Sequence, residues 1–475
     1  MEQPRSASVL AQYPQPDTAR LSAALAAEAN ANQRKIIVLD DDPTGVQTVH
    51  DIFVYTDWSI ESLRKGFAAP EKLFFILTNS RGFTVAETTK AHIEIAEHVD
   101  QVAREFGMDY LIISRGDSTL RGHYPLETDL LRQVAEKKGG FAMDGEILCP
   151  YFKEGGRFTL DNVHYVRYGD ELVPCGQTEF AKDETFGYTS SNLCDYIEEK
   201  TAGKFRAGDI TCISLESLRA LDFDGIEAQL LAVHDFGKVV VNAVEDCDVQ
   251  AFAVALYRAM AKGRHFTIRC AAALVKAIGN ISSQPLLSRE QMVTLKSSAG
   301  GIIVVGSHTK KTTAQLEELK NVPGIEFIEM DSDKVLLPGA LEQEAASIIE
   351  RCAQLIQQGT TCCVSTKRTV LTLPDDTPEA ALVRSVAISD ALQSCVGKLP
   401  VTPAFVVAKG GITSSDVGVK ALRVQCARVL GQIRPGIPVW QTGPESLFPG
   451  TPYVIFPGNV GEVSTLREAV EILLG

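Results

Sequence analysis

The chain has 475 residues, with 60 Asp and Glu against 46 Lys and Arg, a formal net charge of -14. That balance argues against a nucleic-acid partner, which needs a basic face, and the length exceeds what a single core usually supports, so two domains are expected. At 45% hydrophobic and 22% charged residues the composition is that of an ordinary globular protein, and an anionic ligand must find a local cationic pocket. The 11 cysteines form no CxxC pair and no zinc spacing, which fits reduced thiols in a cytoplasm. No signal peptide precedes residue 31 and nowhere do 18 or more apolar residues run together, so neither export nor a membrane span is expected.

In chain order, residues 1–34 read as a leader with a short Ala-rich helix, 35–281 as a first domain and 282–475 as a second. Apolar runs at Lys35 to Leu39, Leu73 to Thr78, Tyr110 to Ile113, Glu146 to Cys149 and Lys238 to Val241 alternate with helical patterns at Val85 to Phe106 and Leu126 to Glu136. This is the rhythm of an α/β fold, with a mostly parallel sheet flanked by helices in each domain. Periodicity fades from Tyr151 to Leu215, a segment read as an insertion or lid. After the polar stretch Ser282-Ser283-Gln284-Pro285 the alternation restarts. It runs through strands at Gly301 to Val305, Ile325 to Met330, Cys362 to Ser365, Phe405 to Ala408, Ile437 to Gln441 and Tyr453 to Phe456.

Two strands of the first domain run into chemistry-bearing loops. Ile36-Ile37-Val38-Leu39 leads to Asp40-Asp41-Asp42-Pro43-Thr44-Gly45, and Tyr110-Leu111-Ile112-Ile113 leads to Ser114-Arg115-Gly116-Asp117-Ser118-Thr119-Leu120-Arg121-Gly122-His123. One acidic turn alone is most simply a cap on backbone amides. Two such loops at the carboxyl ends of parallel strands instead point to a shared ligand site. Carboxylates and hydroxyls there suit a polyol, a hydrated Mg²⁺ or the proton of a hydroxyl nucleophile, while Arg115 and Arg121 supply forks for a carboxylate or phosphate. Arg81, in Thr78-Asn79-Ser80-Arg81-Gly82, also follows a strand and joins the substrate side. Arg269 reaches either the cleft or an acidic surface.

In the second domain Gly306-Ser307-His308-Thr309 stands between a strand and a helix, where amides and hydroxyls make a natural anion site or an ordinary cap. Lys409-Gly410-Gly411-Ile412-Thr413-Ser414 repeats the arrangement with an added positive charge. Pro457-Gly458-Asn459-Val460-Gly461 is a third glycine-bearing loop. Neither GxxxxGK[ST] nor a strand-borne GxGxxG occurs, so the P-loop and Rossmann readings fail.

Taken together, Asp41 to Gly45, Arg115 to Gly122, Gly306 to Thr309, Lys409 to Ser414 and Phe456 to Gly461 resemble, in this order, the signatures of the four-carbon acid sugar kinases. The resemblance implies an ATP-dependent kinase that phosphorylates a terminal hydroxyl of a four-carbon, or closely related branched, sugar acid such as erythronate, threonate or a 3-oxo-tetronate, using ATP and Mg²⁺. It places nucleotide contacts on Ser307, Gly410, Gly411, Ile412, Thr413 and Gly458, to which Lys409 adds charge. Asp42, Asp41 and Asp117 are the candidate catalytic carboxylates. Thr44, Gly45, Arg81, Arg115, Ser118, Thr119 and Arg121 are the candidate substrate contacts, and no residue is assigned to a metal. Competing readings are a non-catalytic sugar-acid sensor and a dehydrogenase or aldolase acting on a related acid. The commonest family form differs at Pro43 and in the following Val46 to Asp51, which leaves the individual sugar acid open; the oligomeric state is not read from the sequence.

Overall fold

The computed structural model describes residues 2–116, 119–294, 297–374, 376–458 and 460–475. Two compact units emerge: residues 1–45 with 57–283, and 46–56 with 284–475. The 46–56 segment, expected within the first domain, thus belongs to the second unit. There Ile52–Tyr55 pairs antiparallel with Cys426–Arg434 and Gln47 Nε2 donates to Gly436 O at 3.3 Å. Sequence adjacency misleads here because the strand's partner lies near the far end of the chain.

The first unit is built on a seven-stranded, wholly parallel sheet. Its order is Thr211–Ile213, Gly237–Val241, Gly145–Cys149, Phe266–Cys270, Tyr110–Arg115, Lys35–Asp40, Leu73–Leu77. Ile36, Ile37 and Val38 are wholly buried, as an inner strand covered on both faces requires. Thr84 and Glu87 form a reciprocal capping box that starts the helix Val85–Phe106, and Gly107, at φ 62°, ends it. Ala91, Ile95, Val99 and Val102 make that helix's buried stripe. The leader is no loose tail, for Thr18–Ala31 is a helix that buries Leu21, Leu25 and Ala29. Its Glu28 pairs at 2.8 Å with Arg258 of the helix Asp246–Ala261.

The 151–215 segment is an ordered subdomain. Arg157–Leu160, Val163–Tyr168 and Glu171–Pro174 form an antiparallel sheet completed by Arg5–Ser6, and Leu193–Lys200 is a helix. Its core joins Cys175, Tyr188, Leu193 and Tyr196 to Leu120 and Tyr124 of the second polar loop.

In the second unit five parallel strands, Pro452–Phe456, Val406–Lys409, Ile302–Val305, Thr361–Thr366 and Ile325–Met330, lie in that order. Ile437–Thr442, Cys426–Arg434 and Ile52–Tyr55 extend the sheet antiparallel beyond Pro452–Phe456. The expected strands recur here, but Cys426–Arg434 was not among them. Its run Cys-Ala-Arg-Val-Leu-Gly-Gln-Ile-Arg mixes charge and glycine and alternates in burial, as a strand with one covered face does. Among the described residues no helix is long and apolar enough to cross a membrane.

Candidate active site

In the first unit the acidic loop and the arginine loop leave neighbouring strands, since Asp40 and Arg115 are paired across the sheet in register. Asp40 is buried and its Oδ1 accepts from Arg115 Nη1 at 3.1 Å. Burial pushes its carboxyl up to about 7 against the pull of Arg115, with Asp41 and Asp42 adding to the rise. Burial acts the same way on Asp41, but Arg81 and Arg269 outweigh it and hold that carboxyl below the usual range. Arg81 bridges two carboxylates, Nη2 to Asp41 Oδ1 at 3.1 Å and Nη1 to Asp42 Oδ2 at 3.1 Å. Asp42 is the more open of that pair, at 16% side-chain exposure against 3%. Its Oδ1 accepts from both the amide of Thr44 (2.8 Å) and its hydroxyl (2.6 Å). Gly45 packs so close that a Cβ there would overlap the Asp40 carboxylate.

Arg269 occupies the centre of the site. Its Nη1 donates to Ser114 Oγ at 2.8 Å and to Glu127, and its Nη2 donates to Arg121 O at 3.2 Å. The guanidinium fills the space that a side chain at Gly116 or Gly122 would need. Glu127 is buried and also accepts from Ser80 Oγ at 2.9 Å; burial raises its carboxyl, but Arg269 and His92 leave it below the usual range. Arg121 Nη1 donates to Asp183 Oδ2 at 3.1 Å, and its guanidinium lies 5.1 Å from the Phe180 ring centre. Thr119 stands in the left-handed region at φ 53°. Thus Asp41, Asp42, Thr44, Gly45, Arg81, Arg115, Thr119 and Arg121 all fall in one linked network, while Asp117 and Ser118 lie outside the described residues. Arg115 is placed behind the loop with its side chain fully buried, where it offsets Asp40 rather than facing a ligand.

A cavity of about 540 Å³, lined by Tyr110, Ile112, Phe141, His265 and Phe266 among others, sits at the opposite, amino ends of these strands. Ligands of open parallel sheets bind beyond the carboxyl ends, so the loops are the candidate site.

In the second unit three loops meet at the carboxyl ends of three adjacent strands. Ser307 N donates to Lys409 O at 3.3 Å, Gly410 N to Phe456 O at 2.9 Å, and Thr309 Oγ1 to Gly458 O at 3.3 Å. Thr312 Oγ1 joins Ser307 Oγ (2.9 Å) and Gly458 O (3.1 Å). Thr309 also caps the helix Lys310–Leu319. Gly410 has φ 127°, and a Cβ there would meet Ser307 at 3.2 Å, so only glycine lets the loops approach this closely. Gly411 opens the short helix Gly411–Asp416, Thr413 is buried and Ile412 is 73% exposed. Lys409 is fully buried and its ammonium donates to Pro457 O at 2.6 Å and Gly458 O at 3.3 Å. Burial, together with Lys311, pushes it down to about 7. It braces a loop rather than standing open. None of 306–309, 410–414 or 457–458 contains Asp or Glu.

Arg368, two residues beyond Thr361–Thr366, was not among the site residues expected from the sequence. It is half-buried, donates to Ser307 O and, through Nε, to Thr313 Oγ1 at 3.3 Å, and its buried Nη1 has no hydrogen-bond partner among the described residues. Arg157 was also missed: its Nε donates to Thr119 Oγ1 at 2.9 Å. A basic residue just past a strand end was a signal for Arg368; nothing local marked Arg157.

The chain matches a family model described as a sugar-binding N-terminal domain over residues 36–278 and one described as a nucleotide-binding C-terminal domain over 302–466. It is 23% identical over 369 residues to D-threonate kinase of Salmonella typhimurium strain LT2, spanning 76% of this chain and 80% of that one. The fold is similar to that of a Haemophilus influenzae protein, HI1011, at a TM-score of 0.61 and 17% identity, covering 92% of this chain and 100% of that one. A second solved structure, from Salmonella typhimurium LT2, gives a TM-score of 0.65 at 15% identity over 91% and 98% of the two chains.

Proposed function

The chain belongs to the four-carbon acid sugar kinase family, and from that premise we propose that it transfers the γ-phosphoryl group of ATP to a terminal hydroxyl of a four-carbon or branched sugar acid in the cytoplasm. The observation that carries this reading is the contrast between its two sites within one chain. One is a cluster of acid, hydroxyl and arginine groups suited to a polyhydroxy carboxylate. The other is a set of carboxylate-free loops whose amides and hydroxyls suit a polyphosphate. A D-threonate kinase among its relatives supports the same substrate class.

In the proposed reaction the substrate hydroxyl oxygen bonds to the γ-phosphorus, the bond to the bridging oxygen of ADP breaks, and the hydroxyl proton passes to Asp42. Thr44 holds one Asp42 oxygen and Arg81 the other, which fixes the carboxylate for proton acceptance. Asp41, locked on Arg81 at low pKa, is the poorer base. Asp40 has the more basic carboxyl, but it is buried behind Gly45 and keeps the field on Arg115 balanced. Ser307, Gly410, Gly411, Thr413 and Gly458 cradle the phosphates, which is mostly a matter of alignment and charge, and Ile412 lies against the nucleotide's apolar parts. The family resemblance implies Mg²⁺. Yet Asp40, Asp41 and Asp42 are each committed to arginine, and among the described residues no group of three or more His, Cys, Asp or Glu is arranged for a metal ion. The donor set does not fit a protein-held cage, so the ion belongs with ATP as its counter-ion.

The test is ADP release from ATP in the presence of erythronate, threonate and their 3-oxo and branched relatives. One or more acids should stimulate it, and Asp42→Asn should lower kcat by roughly 10²–10⁴-fold without changing the melting temperature. Binding of an acid with no nucleotide turnover would support a sensor instead.

A further inference from the structure

The arginines around the first unit's loops differ in one respect. Arg81 faces Asp41 and Asp42, Arg115 faces Asp40, Arg121 faces Asp183 and Arg269 faces Glu127. Each of these positive charges is matched by a fixed carboxylate. Arg157, the first residue of its strand in the 151–215 subdomain, has no carboxylate within ion-pair distance among the described residues. Its Nε donates to Thr119 Oγ1 at 2.9 Å and its Nη1 to Gly155 O. A guanidinium has five N–H donors, so the Nη2 side remains for a ligand. The group lies 4.9 Å from the centre of the Phe180 ring, which it shares with Arg121, and an apolar neighbour strengthens a charge-assisted fork.

The loop Arg157 reaches is held in an uncommon shape. Thr119 and Leu120 are consecutive non-glycine residues at φ 53° and 67°, a left-handed conformation that side chains disfavour and that the surroundings must hold. Tyr188 Oη donates to Thr119 O and Tyr196 Oη to Leu120 O, both at 2.8 Å. Both tyrosines come from the same subdomain, and Tyr196 also stacks on Tyr124 at 5.6 Å.

We propose that Arg157 binds the carboxylate of the sugar acid, and that Tyr188 and Tyr196 are positioning residues that set the 119–120 turn beneath it. The 151–215 subdomain is thereby the part of the chain that tells an acid from a neutral polyol. This rests on the sugar-acid reading above, and the experiment separates the two.

Isothermal titration of the full chain with threonate or erythronate, whichever binds tighter, is compared with the tetritol of the same stereochemistry. Wild type should prefer the acid. Arg157→Met should weaken the acid by roughly 10–100-fold, leave the polyol and ATP unchanged, and so erase the preference. Arg157→Lys, which keeps charge but not the fork, should recover part of it. Tyr196→Phe retains the ring stack and should weaken the acid several-fold with an unchanged far-ultraviolet dichroism spectrum. Folded Arg157→Met that still prefers the acid as wild type does overturns the proposal, as does Arg157→Lys with undiminished preference if the Met variant fails to fold. Wild type that binds the acid but never phosphorylates it overturns the kinase reading alone, because the titration still decides on Arg157.

Discussion

The two units solve the placement of charge in opposite ways. Around the acidic and arginine loops of the first unit nearly every guanidinium meets a carboxylate at about contact distance, Arg81 on two of them and Arg269 on Glu127 deep in the core. The loops of the second unit use hydroxyls, amides and one buried lysine tied to two carbonyls. The lesson is that a saturated lattice fixes geometry, and removing one member strands its partner, whereas a site with positive character and no acid waits for its counter-charge from a ligand.

The largest break in that comparison should come from Arg269→Met. It leaves Glu127 ionised and buried without its main partner, and urea unfolding should report a loss of about 3–5 kcal/mol. Unaltered stability would mean that the network is not the scaffold described.

Next come opposite pH dependences. Asp40 holds its proton more tightly folded than unfolded, with a pKa of about 7 against 3.8. The folded state therefore carries the extra proton in that window, and the contribution of Asp40 to stability falls as pH rises through it. Lys409 is the mirror case, lowered from 10.5 to about 7. The unfolded chain binds the extra proton between those values, so stability rises with pH there. Asp40→Asn should flatten the lower window and Lys409→Met the upper one, each read from melting temperatures across pH. The acid limb separates from both, because Asp41 and Glu127, held low by arginines, lose their contribution only as pH falls below the ordinary carboxylate range.

The smallest effect sharpens the contrast. Arg368→Met should leave the melting temperature nearly unchanged yet raise the KM for ATP by roughly tenfold, with the sugar-acid KM unaffected. A large loss of stability would place Arg368 with the structural arginines of the first unit.

Much of this was legible in the sequence, since apolar runs ending in Asp-Asp-Asp-Pro-Thr-Gly, Ser-Arg-Gly-Asp or Lys-Gly-Gly mark strand ends and their loops directly. What escaped depends on distant partners. Phe266–Cys270 was not among the expected strands because its neighbours in the sheet lie more than 100 residues upstream. Arg269 was ambiguous because Glu127, 142 residues away, decides its role. Asp40 was given no role from the sequence, and its burial, which no local pattern shows, is the main cause of its raised carboxyl. Lys409 looked like a phosphate ligand, and only the turn of Pro457 and Gly458 over its ammonium shows the brace.

The most direct test of the central claim is mass spectrometry of a panel of four-carbon and branched sugar acids after incubation with ATP and the full chain. At least one acid should gain a single phosphoryl group in step with ADP formation, and Asp42→Asn should slow that gain. Hydrolysis of ATP with every acid left unmodified, or no consumption of ATP at all, would contradict that claim.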